Sequence, residues 1–147
     1  MKSRSVATYV DTSVWCAYCF RQEESASATA WLAGVDMTRL GAAWWVDTEF
    51  ASALGIQLCS KRLTAPQARS ARGMFAHLMD MARRLNVTEQ DFLQAAEWCA
   101  QAGDRLRGGD ALHIAVAQRH GCTHLASLDE DMQVAAQGLG MKLIEWT

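Results

Sequence analysis

The chain opens with an apolar, β-prone run, Val6-Ala7-Thr8-Tyr9-Val10, that stops at Asp11-Thr12-Ser13 and gives way to the helical spacing of Val14-Trp15-Cys16-Ala17. This predicts a buried strand with Asp11 at its carboxyl end, then a short helix capped by Thr12 or Ser13 and reaching about Phe20. An exposed turn at 21–25 leads to an alanine-rich helix from Ser27 to Leu32 that ends at Gly34. Thr38 to Trp44 is short enough for a second strand. Val46, Phe50, Ala53, Leu54 and Leu58 then recur at helical spacing, so Glu49 falls in the first turns of a helix running to about Arg62.

Thr64-Ala65-Pro66-Gln67 has the cap, the early proline and the capping-box glutamine of a helix start, and the pattern continues to Arg84. Leu85-Asn86-Val87 fits a brief strand. Thr88 opens another helix with Phe92, Leu93, Ala95, Ala96 and Cys99 on its apolar side, ending at Gly103. Gly108-Gly109 precedes Asp110-Ala111-Leu112-His113-Ile114-Ala115-Val116-Ala117, a helix apolar enough to be deeply packed and closed by Gly121. His124–Leu128 reads as a strand, Asp131–Leu139 as a helix and Lys142–Trp146 as a last strand. Strands alternating with helices give an α/β fold, a central parallel sheet of four to five strands covered on both faces.

The 147 residues, half of them hydrophobic, suffice for one cored domain and are too few for two, so a single domain over 1–147 is expected. A net charge of −2 excludes a protein that grips nucleic acid with its whole surface. No apolar run approaches the roughly 18 residues that span a bilayer, and Met1-Lys2-Ser3-Arg4-Ser5 is not followed by a signal-peptide core. The expectation is a cytoplasmic protein that does not enter membranes. Five scattered cysteines suit reduced, mostly buried thiols.

Four acids stand at strand ends or at the starts of the following helices: Asp11, Glu49, Asp110 and Asp129. Each alone has an ordinary explanation as a helix cap, a first-turn acid or a turn residue. Together they would share one rim of a parallel sheet, because right-handed crossovers return the chain to the same side. Carboxylates gathered there repel one another unless cations lie between them. The expected ions are Mg²⁺ or Mn²⁺, which favour hard oxygen ligands. Thr12, Ser13 and Ser127 can orient the carboxylates through their hydroxyls, with helix or turn capping as the alternative use.

The succession Tyr9-Val10-Asp11-Thr12-Ser13, Glu49-Phe50-Ala51-Ser52-Ala53-Leu54, Asp110-Ala111-Leu112-His113-Ile114-Ala115 and Ser127-Leu128-Asp129 closely resembles the PIN-domain nucleases. Within them it looks most like the VapC ribonuclease toxins of type II toxin-antitoxin systems. The resemblance implies a three-layer α/β/α fold and puts the family's acidic quartet on Asp11, Glu49, Asp110 and Asp129. Ser127 stands where threonine is common, which keeps a hydroxyl. Asp47 competes locally with Glu49, and Asp131 beside Asp129 is a candidate auxiliary ligand. The resemblance further implies Mg²⁺- or Mn²⁺-dependent hydrolysis of RNA, a homodimer, and inhibition by a small VapB-like antitoxin.

Such ions orient and activate a water and neutralise the scissile phosphate, the protein supplying geometry. Among the basic residues, Arg107, three before Asp110, is the first candidate for an RNA phosphate contact. Three other readings compete. Trp15-Cys16-Ala17-Tyr18-Cys19 has thioredoxin-like Cys-x-x-Cys spacing, but the one proline, Pro66, starts a helix and leaves no proline loop to face it. A haloacid-dehalogenase phosphatase wants a second acid where Ser13 stands. His77, His113, His120 and His124 show no zinc-ligand spacing, and His113 reads as a packed core histidine. Solitary RNA processing, or an interaction module without activity, remains as an alternative function.

Overall fold

The structure is a computed structural model that describes residues 6–146. β1 (Thr8–Val10) leads into α1 (Thr12–Phe20) and α2 (Ala26–Gly34), then β2 (Leu40–Ala43), α3 (Trp45–Cys59) and α4 (Ala65–Met81). β3 (Arg83–Leu85), α5 (Glu89–Ala102), α6 (Gly108–Arg119), β4 (His124–Ala126), α7 (Glu130–Gly138) and β5 (Lys142–Leu143) complete the order. All pairings are parallel and the strands lie in the order β3-β2-β1-β4-β5.

That order places a switch point beside β1. The chain first builds outward through β2 and β3, then crosses back to add β4 on the other side of β1. Connections leaving neighbouring strands in opposite directions open a crevice at their carboxyl ends. Asp11 follows β1 and Ser127 follows β4, so both stand at that crevice, and the Asp11 amide extends the ladder by donating to the Ala126 carbonyl at 3.0 Å.

Alternation along the strands divides the core into two layers. Val10, Leu40, Ala42 and Ala126 face α1, α3 and α4, where Trp15, Phe50, Leu54, Phe75 and Leu78 pack. Phe50 and Phe75 stack with centroids 3.9 Å apart. Tyr9, Ala43 and Leu125 face the opposite way, onto Ile114 and Val116 of α6 and Met132 and Ala136 of α7. α6 is buried continuously from Ala111 to Ala117, which explains its apolar run. In β2, a β-carbon at Gly41 would come within 2.8 Å of Leu85 Cδ1 and 2.9 Å of Val6 Cγ1, so a larger residue there would have to displace those side chains.

Three local expectations need correction. α4 ends at Met81, where Ala82 turns to extended backbone, and β3 is Arg83–Leu85 rather than 85–87. As the sheet's edge it has one neighbour, so a strand of two arginines is tolerated. On α5, Phe92, Leu93 and Ala96 point outward, Phe92 being 56% exposed. The buried row starts instead from Asp91, which accepts from Thr88 N at 2.9 Å and Arg119 Nε at 2.7 Å and thereby rotates Phe92 out. The final strand is only Lys142–Leu143. On α4, Phe75, Leu78 and Met79 are buried in the core. Among the described residues no helix is long and apolar enough to cross a membrane.

Candidate active site

Asp11, Glu49, Asp110 and Asp129 line one pocket of about 320 Å³, together with Thr12, Ser13, Arg107, Gly109 and His113. Four elements deliver them. Asp11 is the N-cap of α1, Glu49 lies within α3, Asp110 is in the first turn of α6, and Asp129 is the N-cap of α7. Asp131 lies outside the pocket, exposed on α7, and its backbone amide donates to Asp129. Asp47 turns away from the site to pair with Arg84, whose guanidinium also stacks 4.2 Å above Trp44.

The capping readings and the site readings prove compatible. Asp11 caps α1 through Oδ1, which accepts the Ser13 amide at 2.5 Å, while Oδ2 accepts the Ser127 hydroxyl. Asp129 caps α7 through Oδ1, accepting the amides of Asp131 at 3.0 Å and Met132 at 3.3 Å, and turns Oδ2 to Arg107. The strand-end position and the helix dipole thus fix each carboxylate before any ligand arrives.

The three hydroxyls hold this arrangement together. Thr12 Oγ1 donates to Glu49 Oε1 at 2.7 Å, and Ser13 Oγ accepts the Leu128 amide at 2.9 Å. Ser127 Oγ also accepts the Asp129 amide at 3.1 Å. The Ser127 carbonyl is gripped by Gln133 Nε2 at 2.6 Å and Trp146 Nε1 at 2.8 Å, two supports that their sequence positions did not announce.

Charge in the pocket is unevenly settled. Burial pushes the Asp11 carboxyl above its ordinary range, even though His113 and the Ser127 and Ser13 hydrogen bonds pull the other way. Burial likewise raises Asp110, with Arg107 opposing and the Asp129 and Asp11 charges adding to the rise. At Glu49, burial is outweighed by His113, Thr12 and Arg107, which hold its carboxyl below the usual range. Arg107 supplies a cation inside the cluster, its Nη2 lying 2.5 Å from Asp129 Oδ2 and 3.2 Å from Asp110 Oδ2.

The acidic donors that line the pocket are oxygens, with no thiolate among them, which fits Mg²⁺ or Mn²⁺. Among the described residues no three His, Cys, Asp or Glu side chains close into a ready-made cage. The expectation of tight convergence is therefore met only as a shared pocket. Mg²⁺ is compatible with that, since it keeps several waters and is held directly by one or two carboxylates. Asp11, Asp110, Asp129 and Glu49 are the groups that would hold it, and the guanidinium between Asp110 and Asp129 marks where positive charge is favoured.

His113, expected as a core histidine, is buried at 2% exposure and yet reaches the site. Its Nε2 meets Glu49 Oε1 and its Nδ1 meets the Tyr9 hydroxyl. The Cys-x-x-Cys pair has no redox setting. Cys16 and Cys19 are buried free thiols on α1, and burial pushes both up to about 12.

Comparison with family models matches the PIN domain over residues 8–138. The chain belongs to the PIN-domain family. Among solved structures, VapC20 of Mycobacterium tuberculosis, a sarcin-ricin loop cleaving toxin, has a TM-score of 0.70 at 24% identity, covering 88% of this chain and 95% of that one. FitAcB of Neisseria gonorrhoeae gives 0.70 at 15%, covering 94% and 96%. VapBC2 of Rickettsia felis, bound to a fragment of its promoter DNA, gives 0.67 at 14%, covering 96% and 99%. At these identities the likeness is one of fold, and it confirms the parallel α/β/α arrangement. No curated protein matches the chain by sequence.

Proposed function

We propose that this PIN-domain protein is a Mg²⁺- or Mn²⁺-dependent endoribonuclease, the toxin of a VapBC-type toxin-antitoxin pair. The observation that carries the reading is the gathering of Asp11, Glu49, Asp110 and Asp129 around one pocket at the sheet's switch point. A bound divalent ion supplies an activated water and offsets charge on the scissile phosphate. Asp11 is anchored by Ser127 and Ser13, and Glu49 by Thr12. Asp110 and Asp129 share Arg107, which is two thirds exposed and free to exchange its carboxylate partners for an RNA phosphate at the mouth.

Structural neighbours crystallised as VapBC and FitAB complexes support a small antitoxin as partner. The reading includes a homodimer working in the cytoplasm.

The test is cleavage of RNA by the purified protein with Mg²⁺ or Mn²⁺. Cleavage should disappear with EDTA and in folded Asp11→Asn and Asp110→Asn variants, and expression of wild type alone should arrest growth while Asp11→Asn does not. Variants that cut as well as wild type would reject the assignment. Cleavage without growth arrest or a co-purifying antitoxin would favour solitary RNA processing, and a folded protein that cuts no RNA would favour an interaction module.

A further inference from the structure

Glu49 uses its two carboxylate oxygens differently. Oε1 accepts from Thr12 Oγ1 at 2.7 Å and from His113 Nε2. Oε2 lies toward Gly109, which lines the same pocket, and a β-carbon at Gly109 would stand 3.5 Å from it. Glycine at 109 therefore keeps the space next to Oε2 clear.

Behind Glu49, His113 is held on its other side. An ionised carboxylate only accepts, so the Nε2 of His113 carries the proton in that contact, while Nδ1 is engaged by the Tyr9 hydroxyl. Tyr9 is fully buried in β1 and cannot turn to water for a partner. Its ring lies 5.5 Å from the imidazole, tilted by 58°. The result is a buried line from the central strand through α6 to α3, joining residues 104 and 64 positions apart.

We infer that His113, backed by Tyr9, is a positioning residue for Glu49: it fixes Oε1 so that Oε2 alone is presented to a cation in the pocket. This rests on the metal-dependent reading above. A glutamate on a helix has three side-chain torsions, and an imidazole locked from behind removes most of that freedom before the ion arrives. A histidine that merely filled the core would need no carboxylate partner. Here the carboxylate it meets is the one that lines the pocket.

The experiment is calorimetric titration of Mn²⁺ into the protein without RNA, for wild type, His113→Leu, His113→Gln, Glu49→Gln and the double variant that combines His113→Leu with Glu49→Gln. Losing a group that orients a metal-binding side chain lowers affinity by about 10- to 100-fold, so His113→Leu should fall in that range. His113→Gln, whose amide can still donate to Oε1, should recover most of the loss. The double variant should bind no more weakly than Glu49→Gln. His113→Leu binding like wild type, or losses that multiply in the double variant, would overturn the inference.

Should His113→Leu fail to fold, Tyr9→Phe conserves volume and frees the imidazole to turn. It should weaken Mn²⁺ binding severalfold with Glu49 present and leave the Glu49→Gln background unchanged; an equal effect in both backgrounds, or none, overturns the inference. Wild type that binds no Mn²⁺ would remove the metal-dependent reading and this one together, whereas normal wild-type binding with an insensitive His113 removes this one alone.

Discussion

Arg107 donates to Asp129 Oδ2 at 2.5 Å, joining the start of α6 to the cap of α7 across the mouth of the acidic pocket. The same guanidinium reaches Asp110, so the protein carries its own cation where two carboxylates would otherwise repel each other. A divalent ion must compete with it. Arg107→Ala should tighten Mn²⁺ binding severalfold, measured by titration without RNA, while the melting temperature hardly moves because the side chain is largely exposed. Weaker Mn²⁺ binding would mean that the guanidinium assists the ion.

Asp11 is a carboxylate that the fold holds at a disadvantage, since burial raises its pKa above the unfolded value. A raised carboxyl pKa means the folded state binds the proton more tightly, so the stability that proton adds to the metal-free protein is complete below the unfolded pKa and is lost as pH rises through the folded one. Asp11→Asn removes the buried charge and should stabilise the metal-free protein at neutral pH by about 1 kcal/mol, or ~2–8 °C in melting temperature. Excess Mn²⁺ should raise the wild-type melting temperature and leave Asp11→Asn much less changed. Thermal melts with and without Mn²⁺ check both.

Asp91 behaves in the opposite sense. Burial would raise its pKa, but Arg119 and the Thr88 hydrogen bonds hold it below the usual carboxylate range. Its contribution to stability is complete above the unfolded pKa and is lost as pH falls through the folded one. Asp91→Ala removes both the α5 capping box and the partner of Arg119, and should destabilise by about 2–4 kcal/mol at neutral pH. Urea denaturation should show the gap from wild type narrowing in acid, with cleavage per folded molecule retained.

The five thiols sort by exposure. Cys59 is exposed, whereas Cys16, Cys19 and Cys122 are buried, with burial pushing the last up to about 11. Because the thiolate is the reactive form, native alkylation should label Cys59 first and reach the buried three only on unfolding. Rapid modification of Cys16 and Cys19 in folded protein would reopen the redox reading.

The acidic pocket was legible because its groups sit where the hydrophobic period changes. A two-residue alternation ending at Asp11 and a helical period beginning around Glu49 and Asp110 are local signals, and a parallel sheet turns them into a shared rim. The roles of His113 and Phe92 were not legible for the same reason in reverse. Burial of His113 follows from its apolar helix, but its two polar partners come from β1 and α3, and only packing brings them together. Phe92 looked inward by composition until the Asp91–Arg119 pair set the rotation of α5. Edge position, which decides how β3 tolerates Arg83 and Arg84, is likewise a property of the sheet and not of the segment.

A divalent ion held by the acidic rim is the central requirement of a metal-dependent nuclease here. Anomalous scattering from crystals soaked in Mn²⁺ locates the metal directly. The predicted result is a manganese peak in the pocket within ligand reach of Asp11 or Asp110, lost in crystals of Asp11→Asn and Asp110→Asn. A peak elsewhere, or an empty pocket in crystals of protein that cleaves RNA in the same Mn²⁺ solution, would contradict it.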